Sequence, residues 1–220
     1  PSLGSGLVFP VPEDSIKCEP FEIPSHFPRV CGMDYGWDHP TTAIWVAWDR
    51  DADIAYIYDS HSQSQEVPAV HAAAINARPK WIPVVWPRDG RQADKGSGTP
   101  LADQYRELGV NMIKGNGRSW GGWFTNPPTP GQREGSGGVS LESGIMDLLE
   151  RMKTGRLKIF STQSGLFEEL RMYHRKDGRI VPFKDDLISS MRYAVMSLRL
   201  ARIHEVSQRQ YQADSEFSIF

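Results

Sequence analysis

The chain has 220 residues, of which 39% are hydrophobic and 24% are charged. That length allows one large domain with a substantial core, and the composition excludes a wholly disordered, collagen-like or coiled-coil chain. The formal net charge of −2 excludes the global basic field that marks many nucleic-acid binders. No apolar run approaches the ~18 residues needed to span a bilayer, and no signal peptide opens the chain, so we expect no membrane partner. The chain begins at Pro1 rather than Met, which suggests a fragment of something longer.

The first predicted element is a lead-in without regular structure. Residues 1–28 contain six prolines and no sustained periodicity, which predicts a linker or extended arm. From residue 29 onward, alternating apolar residues predict three strands at 29–35, 42–48 and 54–58. A turn at 49–53 reverses the chain between the last two strands. This arrangement predicts the start of an antiparallel meander rather than a βαβ unit.

Helices and short strands follow the meander. Helical spacing and short apolar runs distinguish the two kinds of element, and Asp177-Gly178 is a strong hairpin turn. The predicted helices are 67–77, 101–108, 140–152, 166–173 and 186–202; the predicted strands are 82–86, 110–113, 157–160 and the hairpin arms 172–176 and 179–183. A Gly/Pro-rich connection over 114–138 carries Trp120, Trp123 and Phe124, which could stack on DNA or form a small core of their own. We expect one folded domain over 29–203 and a loose tail over 204–220.

Charge is unevenly distributed along the chain. Residues 151–209 contain 13 Lys/Arg against 6 Asp/Glu, so the remainder contains 12 basic and 21 acidic residues. An acidic region beside a basic one is compatible with a metal site next to a polyanion groove, and equally with two solvated faces. The two cysteines, Cys18 and Cys31, are too few for a disulfide scaffold or a zinc cluster, so we expect free thiols in a cytoplasmic protein.

Acidic residues lie where predicted strands end and where the last long helix begins. Asp34 is at the end of the first strand, Asp89 follows the fourth, and Asp185 and Asp186 open the helix at 186. The carboxyl ends of neighbouring strands converge in an open α/β sheet, and a helix N-terminus can reach the same crevice. Carboxylates gathered there repel each other unless cations neutralise them. Two Mg²⁺-like ions ~3.5–4 Å apart could then activate water and stabilise the leaving oxygen of a phosphodiester.

Each of these acids also has an ordinary structural interpretation. Asp34 could hydrogen-bond a turn, Asp89 before Gly90 could belong to a plain turn, and Asp185 or Asp186 could be only a helix N-cap. Their joint placement favours a metal site, because one fold then explains all of them.

Particular segments resemble a known family. Residues 33–43 (MDYGWDHPTTA) resemble the first nuclease motif of the large terminase subunits of tailed bacteriophages, and 184–188 (KDDLI) followed by 192–194 (RYA) resemble their last motif. The segments 93–95 and 109–114 resemble the region after the second acid. The resemblance covers residues 29–203. It implies a ribonuclease H-like α/β fold, with an antiparallel meander and then parallel strands in a mixed central sheet flanked by helices.

The resemblance implies a metal-dependent endonuclease of viral genome packaging. Such an enzyme cuts concatemeric double-stranded DNA when packaging begins and ends, in the cytoplasm of the infected bacterial host. By position, Asp34 would bridge two Mg²⁺ or Mn²⁺ ions, Asp89 would bind one of them, and Asp185 or Asp186 the other. Asp186 is preferred, because Asp185 would then be free to cap the helix. His39 could reach the site but, beside a proline, is more often structural.

The family also implies partners. Its full-length members join an ATPase motor to the nuclease domain, and we expect the portal and the small terminase subunit to bind as well. This sequence contains no Gly-x-x-x-x-Gly-Lys-Ser/Thr phosphate loop, so we expect the motor half to lie outside it, with residues 1–28 as the end of the linker.

DNA contacts are expected from the basic C-terminal third of the chain. Such contacts would be to the phosphate backbone and not to the base sequence. The candidates are Lys153, Arg156, Lys158, Arg171, Arg175, Lys176 and Arg179.

Other functions stay open at this level. A junction resolvase or transposase would share the fold and the acids. A sugar-kinase or actin-like phosphotransferase shares the Asp-x-Gly turn at Asp34 but needs a second phosphate turn and a longer chain. A non-enzymatic module could dock on the portal or small subunit through residues 204–220.

Overall fold

A six-stranded mixed sheet organises the chain in the computed structural model, which describes residues 6–87, 98–113 and 141–204. Its strands are β1 (Lys17–Cys18), β2 (Arg29–Asp34), β3 (Thr41–Asp49), β4 (Ile54–Gln63), β5 (Val84–Val85) and β6 (Leu157–Phe160), in the spatial order β1-β6-β4-β3-β2-β5. A separate hairpin is formed by β7 (Arg175–Lys176) and β8 (Arg179–Ile180). The helices are α1 (Glu13–Ile16), α2 (Pro68–Asn76), α3 (Leu101–Glu107), α4 (Leu141–Lys153), α5 (Ser164–Met172) and α6 (Asp186–Met196), followed by a 3₁₀ turn at Leu198–Leu200.

The predicted meander is confirmed, and the rest of the sheet is parallel. β2 pairs antiparallel with β3, and β3 with β4, whereas β5 runs parallel to β2 and β6 runs parallel to β4. β4 extends five residues beyond the predicted strand, to Gln63, because backbone pairing with β3 continues where the apolar alternation has stopped.

Two apolar layers cover the faces of the sheet. Successive residues of a strand point to opposite faces, and in β2 Val30 packs in one layer while Cys31 and Met33 pack in the other. Helices α4, α5 and α6 cover the first face, and α2 and α3 cover the second. The mixed α/β architecture predicted from the sequence is therefore confirmed, and Cys18 and Cys31 are free thiols as expected.

Several predicted elements are shorter than expected. The hairpin arms predicted at 172–176 and 179–183 shrink to Arg175–Lys176 and Arg179–Ile180. The strand at 82–86 is reduced to two residues, because Pro83 and Pro87 flank it and proline has no N–H for pairing. The strand predicted at 110–113 is wrong; only Met112 forms a bridge, to Val84. The last helix ends at Met196 instead of 202, and Arg202 instead exchanges two backbone hydrogen bonds with Arg29 at the start of β2.

The described part of the predicted arm, residues 6–28, packs against the domain. Val8, Phe9 and Ile16 are buried in the same apolar cluster as α6, and β1 adds an edge strand beside β6. The boundary at residue 28 stays a prediction, but the folded unit includes residues on both sides of it. Among the described residues, no helix is long and apolar enough to cross a membrane.

Candidate functional site

The end of β2 and the start of α6 meet at one end of the sheet. Asp34 is the last residue of β2, and its register partner on β3 is Thr42. The Thr42 hydroxyl donates a hydrogen bond to the backbone carbonyl of Asp186, at 2.9 Å, and also contacts the Ser190 hydroxyl at 2.7 Å. Directly opposite residues on antiparallel strands lie about 5 Å apart, so Thr42 joins Asp34 to the first residue of α6. We call the region of Asp34, Asp185 and Asp186 the acidic end of the sheet.

A glycine makes this approach possible. A Cβ atom on Gly32 would lie 2.1 Å from the carbonyl oxygen of Ser190 and 2.6 Å from the backbone nitrogen of Ala194. Only a residue without a side chain lets α6 lie this closely on β2. The two residues that bear acids, at the end of β2 and at the start of α6, are brought together by that close packing.

The two acids of α6 occupy an environment that disfavours their charge. Asp185 and Asp186 are half-buried, and burial raises the pKa of both carboxyls above the ordinary value. The nearby His39 imidazole opposes this rise at both residues. At Asp185 a hydrogen bond from the Tyr173 hydroxyl and the charge of Arg192 oppose it as well, yet the net pKa shift remains upward.

His39 reaches these acids because the turn after β2 is tight. The backbone N–H of Gly36 donates to Thr41 Oγ1 at 3.1 Å, and the same hydroxyl donates to the Gly36 carbonyl at 2.9 Å. A Cβ atom on Gly36 would lie 2.2 Å from the carbonyl oxygen of His39. From the sequence, His39 could reach the site, although a histidine beside a proline is more often structural. In the structure His39 is exposed and lies within electrostatic range of Asp185 and Asp186.

The capping of α6 differs from the expectation. Asp185 occupies the N-cap position but makes no side-chain capping hydrogen bond. The cap comes from Glu169 on α5, whose carboxylate accepts the backbone N–H groups of Leu187 at 3.1 Å and Ile188 at 3.0 Å. The reason for preferring Asp186 over Asp185 as a metal ligand, that Asp185 caps the helix, is therefore wrong, and the choice between the two stays open.

Sequence reasoning missed Glu169, although a signal was present. The buried residues of α5 are Leu166, Phe167, Glu169 and Leu170, so Glu169 lies on the apolar stripe of the helix. A single acid on a buried stripe indicates a specific partner, because a buried carboxylate without one is costly. Burial, followed by the negative charges of Asp186 and Asp185, raises the pKa of Glu169 to about 7 even though two N–H groups oppose the rise.

The fourth predicted acid, Asp89, lies outside the described residues. The strand before it, β5, runs parallel to β2 and therefore toward the acidic end. Within residues 6–87, 98–113 and 141–204, no group of three His, Cys, Asp or Glu side chains is positioned to hold a metal ion. The predicted aromatic cluster of Trp120, Trp123 and Phe124 and nearly all of the tail also lie outside the described ranges.

The predicted DNA-contacting residues fall into separate groups. Arg156 and Lys158 lie at the opposite end of the sheet, where the β3–β4 turn meets the start of β6. Arg156 pairs with Asp53 at 2.9 Å and also with Glu150, and Lys158 donates to the Ser15 carbonyl at 2.7 Å. The seven residue steps of β3 from Thr42 to Asp49 separate the two ends by roughly 23 Å. Lys153, at the end of α4, precedes this same region.

The hairpin of β7 and β8 lies in the chain between Tyr173, whose hydroxyl contacts Asp185, and residues 181–185, which lead to α6. Arg175 pairs with Glu142 at 2.8 Å. The side chains of Lys176 and Arg179 are exposed and form no hydrogen bond or ion pair with any described residue. Arg171 is instead paired with Glu13 of α1, at 2.7 Å.

The fold and the acids together define a ribonuclease H-like domain. A solved structure of the nuclease domain of the phage P22 large terminase superimposes with a TM-score of 0.76 at 38% identity, and the match covers 92% of this chain and 97% of that one. The nuclease domain of the bacteriophage SPP1 large terminase, crystallised with bound Mn, matches at a TM-score of 0.54 and 14% identity over 77% of this chain and 86% of that one, which supports the fold alone.

The sequence comparison identifies the family. Residues 31–198 match the profile of the terminase RNaseH-like domain. The large terminase subunit of Salmonella phage P22 is 39% identical over 204 residues, which is 92% of this chain and 38% of that protein. The chain therefore belongs to the terminase RNaseH-like domain family, and it spans about two fifths of the length of the curated relatives it matches. The predicted resemblance to large terminase subunits is confirmed.

Proposed function

We propose that this chain is a Mg²⁺- or Mn²⁺-dependent endonuclease that cuts concatemeric double-stranded viral DNA at the start and end of genome packaging. The observation that carries the proposal is the link from Asp34 through Thr42 to Asp186, which gathers acids from β2 and α6 in a chain of the terminase family. The match to the terminase family supports viral DNA as the proposed substrate, and the acids support the proposal of metal-dependent hydrolysis.

The acids at this end of the sheet fit a divalent cation. Carboxylate oxygens are the donors that Mg²⁺ and Mn²⁺ favour. The pKa values of Asp185 and Asp186 are raised, so His39, together with Arg192 at Asp185, does not offset the cost of burying their charges. A bound cation would offset that cost, and the SPP1 relative holds Mn in its nuclease domain.

The residues that would hold such ions are Asp34, Asp89, and Asp186 or Asp185. When bound, divalent cations supply the Lewis acidity that phosphodiester hydrolysis requires. The chain itself fixes the acids through Gly32 and Thr42, and it would orient the DNA backbone through the exposed Lys176 and Arg179 of the hairpin.

The remainder of the large subunit would provide the packaging function. The chain spans 38% of the P22 large terminase subunit, and we propose that an ATPase motor occupies the rest of the parent protein. The portal and the small terminase subunit are the proposed partners of the assembled motor, in the cytoplasm of the infected host.

Plasmid cleavage tests this proposal. We expect wild-type protein with Mn²⁺ to convert supercoiled plasmid to nicked and linear forms, and Asp34→Asn to lose this activity. Asp51→Asn, an exposed acid in the β3–β4 turn, is the matched control and should cut like the wild type. Equal cutting by Asp34→Asn and wild type would contradict the assignment, whereas a preference for branched over linear duplex would favour a resolvase.

A further inference from the structure

Glu169 is a buried carboxylate whose described partners are backbone groups of α6. The residue is 8% exposed, and its carboxylate accepts hydrogen bonds from the N–H groups of Leu187 and Ile188 at 3.1 and 3.0 Å. Among the described residues, it forms no ion pair with a basic side chain. Burying a carboxylate without a counter-ion costs folding free energy. An apolar side chain in the same space would avoid that cost, so the presence of Glu169 calls for an explanation.

That purpose is not explained by capping alone. The first N–H groups of any helix need acceptors, and a side chain at the N-cap usually supplies them. Asp185 occupies the N-cap position of α6, but its side chain makes no capping hydrogen bond. Its carboxylate instead accepts a hydrogen bond from the Tyr173 hydroxyl. Because Glu169 supplies the cap from another helix, the Asp185 carboxylate is not needed to cap α6.

The cap also holds Asp186 from one side. Leu187 and Ile188, whose N–H groups bind Glu169, directly follow Asp186 in the chain. Thr42 holds the carbonyl of Asp186 from the other side, at 2.9 Å. The Asp186 carbonyl and the Leu187 N–H belong to one peptide group, so the backbone directly after the Asp186 side chain is held between Thr42 of β3 and Glu169 of α5.

We propose that Glu169 is a positioning residue of the metal site, and this rests on the function proposed above. It orients Asp185 and Asp186 toward the cation without touching the cation itself. Substituting a residue that orients metal ligands without binding the metal itself typically lowers metal affinity by about 10–100-fold.

The test compares two neighbouring glutamates on α5. Glu169→Gln keeps the shape but presents an NH₂ group to one of the two N–H donors. Glu168→Gln removes the same charge from the adjacent, 61% exposed side chain, whose partner is Lys184. Mn²⁺ affinity of the full 220-residue chain is measured by calorimetry, thermal unfolding is recorded without metal, and kcat and KM are measured for plasmid cleavage.

We expect Glu169→Gln to bind Mn²⁺ about tenfold or more weakly and to lower kcat with little change in KM for DNA. Glu168→Gln should match the wild type in all of these. Wild-type Mn²⁺ affinity in Glu169→Gln, with or without a lower melting temperature, would show a mere helix cap and overturn the proposal. If Glu169→Gln does not fold, Glu169→Asp, which keeps the charge but draws the oxygens back by one methylene, decides between the same two outcomes.

The two proposals fail in different ways. Wild-type protein that binds no Mn²⁺ and cuts no DNA would contradict the proposed function, and with it the role of Glu169. Wild-type protein that binds Mn²⁺ and cuts DNA, beside a Glu169→Gln variant of equal affinity, would contradict the role of Glu169 alone.

Discussion

The two ends of the central sheet treat acidic side chains in opposite ways. At the opposite end, burial pushes the pKa of Asp53 upward, but hydrogen bonds from Arg156 and Trp48 and the charge of Arg151 outweigh burial, and the net pKa is lowered. At the acidic end, burial raises the pKa of Asp185 and Asp186, and the neighbouring positive charges do not reverse the shift.

The difference separates an acid with cationic partners from the acids that we propose as metal ligands. Asp53 has two guanidinium partners, at 3.3 and 2.9 Å, and it ties the β3–β4 turn to α4 and to the start of β6. Asp185 and Asp186 instead lie beside a third carboxylate, Glu169. Neighbouring acids without cationic partners destabilise each other's charged forms. Such perturbed acids cluster at functional sites, where a bound cation can neutralise them.

The largest expected effect on cleavage comes from replacing one acid by asparagine at each end of the sheet. Asp186→Asn should reduce Mn²⁺-dependent plasmid cleavage by about 1,000-fold or more, since loss of a metal ligand forfeits several kcal/mol of transition-state stabilisation. Asp53→Asn should keep the cleavage rate but lose roughly 1 kcal/mol of unfolding free energy in urea, because its ion pairs are partly exposed. If Asp185→Asn loses activity and Asp186→Asn does not, the preferred ligand is Asp185.

The next effect is on pH-dependent stability without metal. Glu169 has a folded-state pKa of about 7 against an ordinary value of 4.5. Between these values the folded protein keeps a proton that the unfolded chain has released, so stability is present at low pH and is lost as pH rises through about 7. Urea unfolding in EDTA should show wild type losing on the order of 3 kcal/mol relative to Glu169→Gln over this interval.

The groups that face Glu169 act in the same direction. Asp185 and Asp186 also have raised pKa values, so they add to the wild-type slope, and the difference between wild type and Glu169→Gln isolates the glutamate. A parallel pH dependence in both proteins would show that Glu169 does not titrate in this range.

A smaller effect is expected on DNA affinity. Lys176→Gln combined with Arg179→Gln should weaken binding of a duplex several-fold and reduce the slope of log K against log salt by about 1.8, since each phosphate contact contributes about 0.9. Lys153→Gln combined with Lys158→Gln, near the opposite end, should leave both values unchanged. Fluorescence anisotropy at several salt concentrations measures the affinity and its salt dependence. Equal losses of affinity in the two double variants would show that the hairpin is not the specific DNA contact.

The parts of the fold that could be predicted are those with a local signal. Alternating apolar residues located β2 and β3 to within a residue or so, and the Asp177-Gly178 pair located the hairpin. Asp34, Asp185 and Asp186 were expected at strand and helix ends, and the structure brings the residues that carry them to one end of the sheet.

The parts that could not be predicted depend on long-range packing. Glu169 is 18 residues from the backbone group it caps, and the pairing of Arg156 with Asp53 spans 103 residues. Nothing local distinguishes Arg156 at the opposite end from Lys176 in the hairpin, because both are basic residues in short polar segments. Likewise, β1 joins the sheet only because β6 offers it a parallel edge.

The central claim is that the acidic end holds divalent cations and the opposite end does not. A crystal of the wild-type chain soaked in Mn²⁺ and measured for anomalous scattering tests this most directly. We predict two peaks among Asp34, Asp89 and Asp186 or Asp185, and none beside Asp53. No peak at the acidic end at millimolar Mn²⁺ would contradict the account.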